Sequence, residues 1–316
     1  MRGKSLLATN FRSLSHKCLI ETRAPTNRGT QSPLMQNDAS NATPQEQMDP
    51  APRPIALVTG ASSGLGRDFA LALAERGYDL VVVARREDRL VALKREVATR
   101  FSARSMVIAM DLAVPTSPRE IHSIVEGSGL EVSYLVNNAG YGTRGRFLDA
   151  SWSSHADFLQ VMCGSWLHLT HLMLPLMVKR GHGRILNVSS LASLTPEPPG
   201  SLYGPVKAMM TGASRALRLD LLATGVHCTA LCPGFTRTEF HDTLGCREAM
   251  NKLPKYLWQD SRTVVDAGMR GVEENRAVVV PGLTNKLIAL MCKLLPYALT
   301  SQMIPRAMSS APPTPR

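Results

Sequence analysis

The stretch Ile55-Ala56-Leu57-Val58-Thr59-Gly60-Ala61-Ser62-Ser63-Gly64-Leu65-Gly66 decides how this chain of 316 residues folds. A short apolar run leads straight into three glycines, and Gly64 opens a segment of helical character that extends to residue 76. Strand, tight turn and helix in that order make a phosphate cradle. The glycines let the backbone approach a pyrophosphate, and the free N–H groups at the helix start stabilise its charge. Ser62, Ser63 and Leu65 complete the loop. Glycine-rich turns also join ordinary strands to helices, so the surrounding pattern has to carry the reading.

Working outward, short apolar runs rich in Val, Ile and Leu recur at 80–84, 106–110, 134–136, 185–188, 226–231 and 277–280. Each is too short for a helix and reads as a strand buried on both faces. Helix-like segments separate them, among them 64–76, 87–100 and 206–222, the last with Ala208, Ala216, Leu217 and Leu221 near helical spacing. The alternation predicts an α/β fold with a central parallel, doubly wound sheet flanked by helices on both faces.

Composition narrows the class. Apolar residues make up 44% of the chain, enough for a large core, and no run of about 18 uninterrupted apolar residues predicts a spanning helix. Six scattered cysteines without a C-x-x-C pair argue against a disulfide framework and a thiolate metal site, and fit a reducing, cytoplasmic setting. His168 and His171 have ligand spacing but lack a third partner, so no metal is expected. The net charge is +11, and residues 51–316 keep +9 from 30 basic and 21 acidic side chains. No nucleic-acid motif accompanies that charge, and an anionic cofactor accounts for it equally well.

Three parts are expected: 1–50, a catalytic domain over 51–282, and 283–316. The first is poor in apolar periodicity, with Arg2, Lys4, Arg12 and Lys17 before the first acid, Glu21. That composition suits a disordered extension or a mitochondrial or plastid transit peptide, and Met48 offers an alternative start. The apolar stretch 287–299, interrupted by Pro296, is expected to dock on protein, with peripheral membrane contact as the alternative, and the chain ends in a polar tail.

At the end of the second strand, where an acid would bind a ribose 2′-hydroxyl, the chain has Arg85 and Arg86. Guanidinium pairs strongly with a 2′-phosphate, which predicts NADP(H), with Arg85 the stronger candidate and Arg86 solvating a helix start. Asp111, with Leu112 beside it, ends the third run and is placed to accept from an adenine amino group. Ser190 follows the strand 185–188, and Tyr203 and Lys207 lie four apart on one helical face behind it. A neighbouring ammonium would lower the phenol's pKa from about 10. Tyr203 could then exchange a proton with a carbonyl oxygen that Ser190 holds.

Gly60/Gly64/Gly66, Asn137-Asn138-Ala139-Gly140, Ser190, Tyr203/Lys207 and Pro233-Gly234 occur in the order of the classical short-chain dehydrogenase/reductases, which residues 53–282 resemble. The resemblance implies a single Rossmann-like domain that transfers hydride between NADPH and a ketone, aldehyde or secondary alcohol, with Tyr203 as acid/base. It implies that Lys207 binds the nicotinamide ribose, that Asn138, Ala139 and Gly140 line the cofactor site, and that Pro233, Gly234 and Thr238 lie beside the nicotinamide. It also implies a homodimer or homotetramer built on the helices before residue 185 and after Tyr203. The segment 235–259, with His241, Met250, Tyr256 and Trp258, reads as a lid over a hydrophobic substrate. One position departs: eight residues before Thr170, where the family carries an Asn that holds a proton-relay water, stands Met162. That departure motivates a rival reading, an NADPH-binding scaffold or sensor of weakened activity.

Overall fold

The computed structural model describes residues 52–143, 147–197, 200–239 and 254–303. The expectations for residues 1–50, for His241 and Met250, and for the terminal tail lie outside these residues.

Seven parallel strands form the central sheet: β1 (Ile55–Thr59), β2 (Asp79–Ala84), β3 (Ser105–Ala109), β4 (Val132–Asn137), β5 (Gly183–Val188), β6 (Val226–Leu231) and, after a short pair, β9 (Val278–Val279). Their spatial order is β3-β2-β1-β4-β5-β6-β9. Every residue of β1, β2 and β4 is buried, as expected for strands covered on both faces. Two further strands, β7 (Phe235–Thr236) and β8 (Trp258–Gln259), pair with each other away from the sheet.

Helices cover both faces. On one side α1 (Gly64–Glu75), α2 (Glu87–Phe101) and α7 (Ser261–Glu273) bury Phe69, Leu73, Leu90, Val97, Val265 and Met269 against Val58 and Val82. On the other, α3 (Ser117–Gly127), α5 (Trp166–Arg180) and α6 (Tyr203–Asp220) bury Ile121, Leu169, Met173, Met177 and Val206 against Leu57, Val81 and Ile185. A helix α4 (Trp152–Leu159) runs through a π turn, Gln160–Ser165, directly into α5. The continuous run Trp152–Arg180 is long and apolar enough to cross a membrane by length and composition. Of its most apolar part, 44% is already buried within the protein, which fits a helix of the core. The chain then carries α8 (Leu283–Leu294) and, after Pro296, α9 (Tyr297–Thr300).

The strand order reverses direction between β1 and β4. In open parallel sheets, ligands bind at such a switch point, beyond the carboxyl ends of the strands. The glycine-rich turn after β1 and the Asn138–Gly140 segment after β4 lie at that place.

Candidate active site

The turn after β1 is shaped by what it excludes. Gly60 and Gly64 have φ of +68° and +53°, where a side chain is strained. A Cβ on Gly66 would lie 2.2 Å from the Gly60 carbonyl oxygen, and one on Gly60 would lie 2.8 Å from Asn138 Nδ2. Asn138 locks the turn by donating from Nδ2 to Thr59 O (3.0 Å), while the N–H groups of Asn138 and Ala139 both donate to Thr59 Oγ1. Thr238 packs directly over Gly64. At the start of α1 no side chain caps the helix and no acid occupies its first turn. The exposed N–H groups and closely folded glycines therefore fit the pyrophosphate of a dinucleotide.

Arg86 rather than Arg85 reaches into this loop. Its Nη2 donates to Ser62 Oγ (3.0 Å) and Ser63 Oγ (2.8 Å), although its backbone also caps α2. Arg85 points elsewhere, with a largely exposed side chain and Nη1 3.8 Å from Asp111 Oδ2. Asp111 also accepts from the Ala113 N–H at 3.0 Å. Arg89, one turn into α2 and not singled out from sequence, pairs with Glu239 at 2.6 Å, and Glu239 also approaches Arg86.

The second half of the site hangs on the ends of β5 and β6. Asn137 donates to Asn187 Oδ1 (2.8 Å) and Thr170 Oγ1 (2.9 Å), tying β4, β5 and α5 together. Ser189 donates from its amide to Leu231 O and from Oγ to Lys207 O at 2.9 Å, fixing α6 to the sheet. Ser190 opens a short 3-10 turn, and the Leu191 N–H donates to Pro233 O. Gly234 must stay without a side chain, because a Cβ would lie 2.5 Å from Asn285.

Ser190, Tyr203 and Lys207 converge. Ser190 hydrogen-bonds the Tyr203 phenol. Lys207 Nζ donates to Val188 O at 2.7 Å and lies 5.8 Å from the Tyr203 ring centroid. The expected lowering of the phenol by the lysine is not what the surroundings produce. Burial pushes Tyr203 up to about 12, against which the Ser190 hydrogen bond acts, and burial pushes Lys207 down to about 8. Desolvation disfavours the charged form of each group, and for Tyr203 the nearby Glu197 charge adds to the rise. Glu197, also not anticipated, sits on the start of α6, its carboxylate accepting from the Gly204 backbone. Burial raises its pKa to about 7. Nothing in the sequence around it distinguished it from a loop carboxylate.

Met162 lies in the π turn, fully buried, with its sulfur 3.0 Å from where a Cβ on Gly140 would stand. The same point is 3.7 Å from Lys207 Nζ, so the thioether and the ammonium both approach Gly140. Cys228 and Cys232 are buried in the core, and among the described residues no three His, Cys, Asp or Glu side chains converge as a metal site would require.

The pattern of the short chain dehydrogenase family matches residues 54–248, more than half of the chain. The chain belongs to the short-chain dehydrogenase family. Among relatives of this chain, a very-long-chain 3-oxoacyl-CoA reductase from Phaeosphaeria nodorum is 33% identical over 178 residues, 54% of this chain and 52% of the relative. The chain thus spans about half the length of that fungal reductase. A sulfoacetaldehyde reductase 2 from Chromohalobacter salexigens is 32% identical over 188 residues, 59% of this chain and 74% of the relative. Among solved structures, a short-chain dehydrogenase from Sphingobium yanoikuyae in complex with NADPH superposes with a TM-score of 0.68 at 29% identity, covering 83% of this chain and 100% of the other. A 7β-hydroxysteroid dehydrogenase superposes with a TM-score of 0.72 at 23% identity, covering 81% and 97%, and shows the shared fold.

Proposed function

We propose that this short-chain dehydrogenase is an NADPH-dependent carbonyl reductase, or an alcohol dehydrogenase in the reverse direction, with Tyr203 as its acid/base. The observation that carries the reading is the joining of Ser190 to the Tyr203 phenol at the carboxyl edge of the sheet, with Lys207 beneath the same ring. Bound in the glycine cradle, a nicotinamide dinucleotide supplies the hydride. The chain's own residues handle the oxygen and the proton. Ser190 holds a carbonyl oxygen by hydrogen bonding, and Tyr203 donates its proton to that oxygen as charge develops there. A phenol pushed up to about 12 is fully protonated at neutral pH, the form that a reduction needs. Lys207 would hold the nicotinamide ribose, and its ammonium, pushed down to about 8, releases a proton readily.

Arg86 on Ser62 and Ser63 supports NADPH over NADH, since a 2′-phosphate would meet a guanidinium already held over the loop. Both named relatives are reductases, and the Sphingobium structure holds NADPH. The aromatic contact of Phe235 with Trp258 supports an apolar carbonyl substrate. Exposed Leu167 and Leu176 on α5 and Met209 and Leu219 on α6 supply apolar surface for a homodimer or homotetramer.

The test is NADPH oxidation by the purified chain over a panel of ketones and aldehydes, with NADH for comparison. Tyr203→Phe should lose nearly all turnover and keep NADPH binding; turnover retained in that variant refutes the assignment. The buried thioether of Met162 beside Lys207 favours a second reading, slow catalysis by a protein that chiefly binds NADPH. NADPH binding without turnover on any carbonyl would support it.

A further inference from the structure

The helix α8 is apolar on two sides: Ile288, Ala289 and Cys292, half-buried, share the side of Asn285 by helical spacing, and a row of leucines lies opposite. Leu283, Leu287, Leu290 and Leu294 recur at intervals of four, three and four, which places them on one face. That face points outward: Leu283 is 73% and Leu294 71% exposed, and Leu287, Leu290 and Met291 are exposed between them. The polar Asn285 instead lies inside, donating to Pro281 O and to Gln259 Oε1, both at 2.9 Å. Of the expected docking on protein, the chain's own core does not receive these leucines. The apolar surface continues past Pro296 through Tyr297 and Leu299, both exposed. Contiguous apolar surface of this kind marks a docking site.

Charge indicates what it meets. Lys286 and Lys293 are exposed on the same helix, and among the described residues neither has an ion-pair partner. The chain carries no acid after Glu274, while Arg276, Lys286, Lys293, Arg306 and Arg316 follow it. A second copy of the chain seated face to face on this helix would bring lysine against lysine, α8 itself carrying no carboxylate. An anionic lipid surface takes leucines into its acyl boundary and pairs the lysines with its headgroups.

We propose that the outward face of α8, continued by Tyr297 and Leu299, docks this protein on an anionic phospholipid bilayer. The position of the helix gives this a use. Asn285 holds α8 against Gly234 and Gln259, at the end of the chain segment that follows the nicotinamide side of the site. A docked α8 holds the substrate side of the protein at the membrane surface, where an apolar carbonyl compound partitions. The docking itself does not depend on the carbonyl reductase reading.

The test is cosedimentation of the full chain with vesicles of phosphatidylcholine alone and of phosphatidylcholine mixed with phosphatidylglycerol. Binding to the mixed vesicles is expected to exceed binding to the neutral ones and to weaken as salt is added. The triple variant Leu287→Gln, Leu290→Gln, Leu294→Gln should lose partitioning about a hundredfold, because each half-exposed leucine withdrawn from the acyl boundary costs roughly fivefold. Lys286→Gln with Lys293→Gln should abolish the preference for the anionic vesicles and leave NADPH binding intact. Failure to sediment with either vesicle overturns the proposal. So does equal sedimentation of the triple variant, or a change in its oligomeric state by light scattering with no change in lipid binding, which would make the face an interface between copies. NADPH binding by each variant reports that it is folded.

Discussion

Replacing Lys207 by methionine should make the dinucleotide-free protein more stable at neutral pH, and by an amount that vanishes as pH rises. The Lys207 side chain is buried, and its one hydrogen bond among the described residues goes to Val188 O. Burial lowers its pKa from 10.5 to about 8. A tenfold change in proton affinity is about 1.4 kcal/mol, so the folded protein carries its ammonium at a cost of about 3 kcal/mol. Methionine fills a similar volume without charge and leaves the Val188 carbonyl without this donor, a loss of about 1 kcal/mol. The net gain near pH 7 is therefore about 2 kcal/mol. Between pH 8 and 10.5 the unfolded wild-type chain binds more protons than the folded one, so its unfolding free energy rises with pH while that of the variant lacks this rise. Cys228, pushed up to about 12 by burial alone, titrates alike in both proteins and cancels in the difference, whereas the Cys163 thiol, which burial raises and the Lys207 charge lowers, shifts further up in the variant. Urea denaturation of both proteins from about pH 7 to about pH 10 measures that difference directly. A stability difference that stays flat across this range, or a variant less stable at both ends, would refute the account of a lysine held at a desolvation cost.

Three further outcomes follow from the cradle and the relay. Arg86→Ala should raise KM for NADPH about ten- to a hundredfold and leave KM for NADH nearly unchanged, since the bonds at stake are charge-assisted. Arg85→Ala should do much less, and a larger effect at Arg85 would return the cofactor phosphate to that side chain. Gly66→Ala should destroy NADPH binding, measured by quenching of intrinsic fluorescence, because backbone and not a yielding side chain meets the added carbon at 2.2 Å. Normal affinity in that variant would mean that the loop relaxes freely. Met162→Asn should raise kcat severalfold while lowering stability by about 1–3 kcal/mol from the buried amide. An unchanged kcat would show that backbone carbonyls alone hold any relay water.

The parts of this molecule that repeat a strong local pattern were legible from its residues, and the parts that depend on convergence were not. Strands β1 and β6 fall on the expected residues and the other five within two of them, because burial on both faces turns a strand into an unbroken apolar run. The pair β7 and β8, two residues each, is too short to leave any period. Helix α6 starts at Tyr203 rather than at residue 206, since Pro205 can occupy its first turn without losing a bond. Ser190, Tyr203 and Lys207 could be named by spacing, but their proton affinities could not. Those follow from how deeply the fold desolvates them, and the sign for Tyr203 came out opposite to a reading from its neighbour's charge alone. The sequence favoured Arg85 over Arg86 for the phosphate, whereas Arg86 is the one turned toward Ser62 and Ser63 and Arg85 approaches Asp111, a difference of direction that no spacing records.

Met162 shows the same limit at the point where it matters most for rate. Its distance from Thr170 places it where the resemblance implies a relay asparagine, a count along the chain that says nothing of how the helix is wound. The chain between α4 and α5 is wound as a π turn, which admits an extra residue per turn and re-aims whatever it carries. Across that turn Trp166 Nε1 donates to Met162 O and Thr170 Oγ1 donates to Trp166 O, both at 2.8 Å, and Thr170 Oγ1 accepts from Asn137. An asparagine at 162 would have faced the backbone of Gly140 and the ammonium of Lys207 together. Methionine presents a sulfur that donates nothing and accepts only weakly. Any proton leaving Lys207 must therefore pass through groups other than this side chain, and Val188 O, its bonded neighbour, can only accept.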